Sequence, residues 1–334
     1  MAEEQRSDEP AGLEKTAGLT LEDAVETISR WQDPKAAIAA LGSLSLAVAR
    51  AGSPLPVQFW LTAAENLKRQ ERSPVVLRSL HDIADIIAQQ GGITYALDLN
   101  NELVAHARER GDSRGFAHAL WKVAQLQMIV GNIERAEALA RESVAALESI
   151  ADEQGATSVK GTIADIAQIR GQLDEALRIR QEEQLPVYER LGDVRSKAIT
   201  QSKIADILQA RGQLDEALRI RQEEELPVYE RLGDVREKAA ALFKIAQMNL
   251  ARMAYPEAMD GLAEAYAIVE GLQEAQGLAH VGRLYGQVLC AAGERARGHA
   301  VLEKAAGAFT LLGQDDEAQA IQTIARGLQD GSPS

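Results

Sequence analysis

The sequence predicts an all-α solenoid of antiparallel helix hairpins, and three observations predict it. The stretch Gly171 to Arg195, GQLDEALRIRQEEQLPVYERLGDVR, returns 41 positions later at Gly212 to Arg236 with one difference, Gln184 against Glu225. A repeat of that length marks stacked supersecondary units rather than one closed core. Small residues recur at Ala84, Ala124, Ala164, Ala205, Ala246 and Gly286, in steps of 40 or 41, and another follows each after 12 residues: Ala96, Ala136, Ala176, Ala217, Ala258 and Gly298. Two positions separated in that way, with a turn between them, belong to the two helices of a hairpin, at the point where their backbones approach. The hydrophobic share is 46% but the aromatic share only 4%. Alanine and leucine therefore carry the apolar content, which suits closely packed helices.

Taken in order, residues 1–18 are polar and acidic, with Pro10, and read as a disordered tail. From 19 to 75 the pattern is helical but irregular. Leu21, Ala24, Val25 and Ile28 share a face, Pro34 opens a second segment, and Val57 to Arg69 forms a short amphipathic helix with Phe59, Trp60 and Leu61. An irregular terminal unit is what a repeat array needs to shield its end. About six repeats of 40–41 residues occupy 76–328, and 329–334 is a frayed tail. Within each repeat a hairpin turn falls at Gly91, Gly131, Gly171, Gly212 or Gly293, with Met253 in the remaining unit. Glycine is favoured just past a helix end because φ is positive there. Acids at Glu134, Asp174-Glu175 and Asp215-Glu216 open the second helix, where the helix dipole favours them. Between repeats, Gly111-Asp112, Gly192-Asp193 and Gly233-Asp234 end one helix and cap the next. Pro186 and Pro227 are expected to kink the second helix or end its first segment.

The formal charge is −14 and there is one cysteine, Cys290. An acidic chain lacks the basic stripe of a nucleic-acid binder and fits a basic or neutral peptide partner. A lone cysteine excludes an internal disulfide and points to a reducing, cytoplasmic setting. The N-terminus has no apolar signal segment, and no apolar run is long enough to span a bilayer. His81, His106, His118, His280 and His299 have no metal-ligand spacing, no phosphate-binding glycine loop occurs, and no cofactor is expected.

A small residue on helix A, a glycine turn, and a small residue 12 later on helix B resemble the tetratricopeptide repeat. The unit is longer than the common form and resembles the subtype of kinesin light chains and Pins/LGN-type adaptors; similar repeats occur in bacterial signalling proteins. The resemblance covers about residues 76–328 and implies a right-handed superhelix whose helix A faces line a concave groove. Carried over unit by unit, the position after the small residue faces that groove: Asp85, Gln125, Asp165, Asp206, Gln247 and Gln287. Such a polar ladder can hold an extended peptide backbone. Three positions before the small residue stand His81, Trp121, Gly161, Ser202, Phe243 and Arg283. Four after it stand Ala88, Met128, Gln168, Gln209, Leu250 and Cys290. These imply side-chain pockets, apolar near Trp121–Met128 and Phe243–Leu250. The competing reading makes the ladder a solvated surface and buries Trp121 or Phe243 between units. The helix B charges Arg178, Arg180, Glu182, Glu183 and their copies read as a solvated face with exposed pairs Asp174–Arg178 and Asp215–Arg219.

The expectation is therefore a noncatalytic adaptor that binds a peptide or partner domain, with no nucleic acid, membrane, metal or cofactor. Two other classes stay open: a regulatory or sensor subunit of a bacterial effector such as a defence or protease system, and a self-assembling scaffold in which copies of the chain pair.

Overall fold

The structure is a computed structural model that describes residues 57–69 and 74–329. The N-terminal tail, most of the irregular segment before the repeats, and the last five residues lie outside them. Every regular element among the described residues is helical. The helices are α1 (Val57–Lys68), α2 (Pro74–Gln89), α3 (Ile93–Glu109), α4 (Ser113–Ile129), α5 (Ile133–Ser149) and α6 (Glu153–Ile169). Next come α7 (Leu173–Arg178) and α8 (Leu185–Leu191), joined by a π-helical segment Ile179–Gln184, and then α9 (Val194–Ala210). A second π segment, Arg221–Glu225, joins α10 (Leu214–Ile220) to α11 (Leu226–Leu232). The series closes with α12 (Val235–Ala251), α13 (Tyr255–Leu272), α14 (Ala275–Ala291), α15 (Arg295–Leu311) and α16 (Asp315–Gln329). The chain divides into two compact units at Ile166/Ala167, inside α6.

The two small-residue columns are where the hairpins close. All ten alanines in them are fully buried, and Gly286 and Gly298 are buried as well. In unit 1, Phe59 and Trp60 of α1 pack with Leu80, Ile83 and Ile87 of α2 and Leu99 and Leu103 of α3 in one apolar cluster. In unit 2, the cluster around Leu262, Tyr266, Tyr285 and Leu289 joins α13 to α14. Each hairpin thus covers an apolar face that the next helix covers on its other side, so burial is shared between neighbours.

The turns follow from backbone sterics. Gly91, Gly131, Gly171, Gly212 and Gly293 have φ between 75° and 90°. Met253 takes the same place at φ 61° with its side chain 75% exposed. A side chain in this region crowds its own backbone, and this one regains nothing by packing. Met253→Gly is expected to stabilise the chain by about 0.5–1 kcal/mol, the left-handed strain less the added unfolded-state freedom of glycine. An unchanged or lowered urea midpoint refutes this. The inter-repeat aspartates cap as expected: Asp112 accepts from Gly115 N–H at 2.9 Å and Asp193 from Ser196 N–H at 3.0 Å. Asp152 does the same for Gly155 at 3.0 Å, although Ala151 (φ 55°) stands where its neighbours have glycine.

Helix B is divided at Pro186 and Pro227, as expected: its first α segment ends before each of them. The chain widens into a π turn just before each proline, which then sits in the first turn of α8 or α11. These are the repeats of 41 residues, and the additional residue is absorbed by the wider turn. Proline donates no backbone bond, so widening the helix at that point sacrifices little.

One sequence expectation needs correction: the helix B charges are not one solvated face. Arg180 is 3% and Arg221 0% exposed. The expected i,i+4 pairs are replaced: Arg178 binds Glu175 at 2.8 Å, Asp174 binds Arg211 at 2.8 Å, and Asp215 binds Arg252 at 3.0 Å. Asp174 and Asp215 sit in the first turn of their helices and pair with the arginine that ends the helix A of the following repeat, so each pair joins successive repeats.

Candidate functional site

Each ladder position directly follows the buried small residue of its helix A, about 100° around the helix from it. Asp85, Gln125, Asp165, Asp206 and Gln287 are half-buried and Gln247 is exposed. Their neighbours are residues of the next helix A. In unit 1, Lys122 Nζ on α4 donates to the Asp85 carboxylate on α2 at 2.6 Å. In unit 2, Lys244 Nζ on α12 donates to both carboxylate oxygens of Asp206 on α9 at 2.7 Å. Arg221 from the second π segment binds Asp206 as well. These two acids stitch successive repeats together, and their charge is matched from within the protein.

Gln125, Gln247 and Gln287 make no such bond; Gln125 in unit 1 and Gln287 in unit 2 are half-buried, and Gln247 is exposed. Arg283 and Gln209 are also exposed, while Met128 and Gln168 are half-buried.

The flanking pockets differ more from expectation. His81 is buried, and its Nδ1 lies 2.7 Å from Asn100 Oδ1. Asn100 Nδ2 donates to the Ala96 carbonyl at 2.9 Å, so its Oδ1 is the acceptor and His81 Nδ1 carries the proton. Burial first, and the neighbouring His118 second, push His81 down to about 4, so its ring is neutral at physiological pH. Trp121 is half-buried, and its indole N–H donates to Thr162 Oγ1 on α6 at 2.7 Å. It thus serves as a strut between two A helices. Ser202 Oγ accepts from Arg221 at 3.2 Å. Phe243 and Leu250 are partly buried against the α13–α14 cluster. At the two places where apolar pockets were inferred, Trp121 is thus engaged by Thr162, and Phe243 and Leu250 pack on the protein's own cluster.

The sequence reading missed Arg221 and Glu225. Arg221 is fully buried and Glu225 is 3% exposed, with the guanidinium donating to Glu225 Oε2 at 2.8 Å. Burial pushes the Glu225 carboxyl up, against the opposing pull of Arg221. In the first copy, Arg180 donates to Gln184 at 3.1 Å. The only difference between the duplicated stretches therefore falls at a buried partner of a buried arginine. Both arginines follow a small-column alanine, Ala176 or Ala217, by four residues on one helix face, but their charge masked that signal; the Gln/Glu exchange itself was visible.

Among the described residues no group of three or more metal-ligating side chains comes together, and no helix is long and apolar enough to cross a membrane. No protein-family model matches the chain. No curated protein matches it in sequence. Solved structures do. BtubC from P. vanneervenii is 17% identical at a TM-score of 0.52, over 72% of this chain and 94% of that one. The apo quorum sensor NprR from B. thuringiensis is 14% identical at a TM-score of 0.53, over 92% and 97%. A signal-transduction ATPase with numerous domains and a tetratricopeptide repeat sensor, from Pyrococcus horikoshii, is 16% identical at a TM-score of 0.57. That match covers 94% of this chain, which spans about half, 51%, of the Pyrococcus structure. With the paired small columns, the positive-φ turns and the helical hairpins, these likenesses identify the fold of this chain as that of tetratricopeptide-repeat proteins.

Proposed function

We propose that the chain is a noncatalytic protein-interaction scaffold whose helix A faces bind a peptide or a partner domain. The reading rests on one observation: Gln247 and Gln287, on successive A helices of unit 2, hold the same register, the first exposed and the second half-buried. A glutamine amide both donates and accepts, so a row of them can pair with an extended backbone without the desolvation cost of a charge. The net charge of −14 favours a basic or neutral partner.

A regulatory reading, in which occupancy of the repeats is relayed to an effector, is favoured by two of the structural neighbours, a signal-transduction ATPase with a repeat sensor and a quorum sensor.

The test compares capture by the parent chain with capture by Gln247→Lys/Gln287→Lys. Neither glutamine holds an ion pair, so both substitutions spare the fold, whereas any change at Asp206 also disturbs Arg221. A specific partner is expected to be recovered at least about fivefold less by the variant, with thermal unfolding unchanged. Equal recovery of every parent partner removes the glutamine row from the interface.

A further inference from the structure

In unit 1 a cavity of about 440 Å³ opens between α2 and α4, over the C-terminal half of α3. Its size lies in the lower part of the range for small-molecule sites, roughly 300–1,000 Å³. Leu77, Leu103 and Ala107 give it an apolar lining, and His81 and His118 meet edge to face beside them with ring centroids 4.6 Å apart.

The charged groups of its lining fall into two sets. Asp112 caps α4, Arg114 holds Asp152 at 3.0 Å, and Lys122 holds Asp85 at 2.6 Å. Arg78 and Asp82 differ from these. Both are exposed side chains of α2 that line the cavity, and neither makes an ion pair among the described residues. They stand four residues apart, on one helix face, the spacing at which opposite charges commonly meet. Here an opposed pair is left open to the cavity mouth. His81, fixed with its proton on Nδ1 by Asn100, keeps Nε2 as a lone-pair acceptor.

A cavity with an apolar floor, one open cation, one open anion and a neutral acceptor is complementary to a small zwitterion. We propose that it binds a free α-amino acid with an apolar side chain, its carboxylate on Arg78, its ammonium group on Asp82, and its side chain against Leu77, Leu103 and Ala107. A ligand with only one of the two charges leaves the other protein charge facing it unpaired. An apolar side chain gains by leaving water for the Leu77–Leu103 floor. The inference goes beyond the interaction reading and does not need it, because it concerns a small molecule in unit 1 and not a partner along the helix A faces.

The experiment is calorimetric titration of the full chain with leucine, phenylalanine, methionine, leucinamide and N-acetyl-leucine, repeated with Arg78→Gln and Asp82→Asn. Both positions are exposed, so thermal unfolding should match the parent and serve as the folding control. Leucine is expected to bind saturably. Leucinamide, which lacks the carboxylate, and N-acetyl-leucine, which lacks the ammonium group, should each bind about tenfold more weakly, since each loses one charge-assisted contact. Arg78→Gln should erase the preference for leucine over leucinamide. Asp82→Asn should erase the preference for leucine over N-acetyl-leucine. The proposal is overturned if leucine, phenylalanine and methionine all fail to saturate the parent, or if the capped forms bind as tightly as leucine. It is equally overturned if both variants keep the parent's affinities.

Discussion

Arg221→Ala is expected to destabilise the chain by about 3–5 kcal/mol, the range for removing one member of a buried charge pair. The loss has an identified origin. Arg221 has no exposed surface, and its guanidinium donates to Glu225 at 2.8 Å, to Ser202 Oγ at 3.2 Å, and to Asp206. Removing it leaves Glu225, 3% exposed, as a buried carboxyl without its cation. Asp206 keeps Lys244, so the damage centres on Glu225. Arg221→Ala/Glu225→Gln should therefore recover part of the loss, because no buried acid is then stranded. Glu225→Gln alone reproduces the arrangement of the first copy, Arg180 with Gln184, and should change stability far less than Arg221→Ala. Equilibrium urea denaturation decides, and a loss below about 1 kcal/mol for Arg221→Ala would show that the pair is not the anchor described.

The same carboxyl predicts a pH dependence. Burial raises the Glu225 carboxyl in the folded state, so the folded chain holds that proton more tightly than the unfolded chain. Where the folded state binds more protons, stability falls as pH rises. The contribution is fully present below the ordinary glutamate value, about 4.3, and is lost as pH climbs through the raised one. Glu225→Gln removes that decline. Its stability relative to the parent should therefore grow with pH across the window, and a constant difference contradicts the assignment.

The backbone of the fold was legible because it repeats. Each alanine in the two columns sits where two helices approach, and only a small residue fits there at every step of 40 or 41. The turn glycines were legible for the same reason, since φ near 80° restricts the choice of residue. Substituents tolerated at such places were not, so Ala151 and Gln273, both at positive φ, gave no sign of ending their units. The face of helix A was legible only as a register. Periodicity places Asp85 and Gln125 on the same line, but it does not say that Lys122 reaches back to neutralise one and leaves the other open. That depends on inter-repeat distance, which a sequence does not carry. The buried arginines failed for a related reason. Arg180 and Arg221 stand four residues after the buried Ala176 and Ala217, on the same helix face, but their charge marks them for solvent, and their burial depends on the partners Gln184 and Glu225, which spacing does not assign.

The last repeat makes the closest helix approach testable. Both columns there hold glycine, and the reason is visible in what a methyl group would meet. A Cβ on Gly298 would lie 2.8 Å from the Gly286 carbonyl oxygen and 3.0 Å from the Cys290 backbone nitrogen, besides striking Cys290 Sγ. A Cβ on Gly286 would meet Leu302 Cγ at 2.7 Å and the Gly298 carbonyl at 3.0 Å. Backbone cannot move aside without separating α14 from α15, whereas the Leu302 side chain can adopt another rotamer. Gly298→Ala is therefore expected to cost about 1–3 kcal/mol by overpacking, even though alanine has the higher helix propensity. Gly286→Ala should cost less. The alanines at the equivalent places, Ala246 and Ala258, are accommodated in the preceding hairpin with no exposed surface, so the penalty belongs to the tighter α14–α15 approach and not to the residue type. Thermal or urea unfolding of the two single variants gives the order. If Gly298→Ala is neutral or stabilising, the glycines are not there for close approach, and the packing explanation of the small columns fails at the one place where it is most constrained.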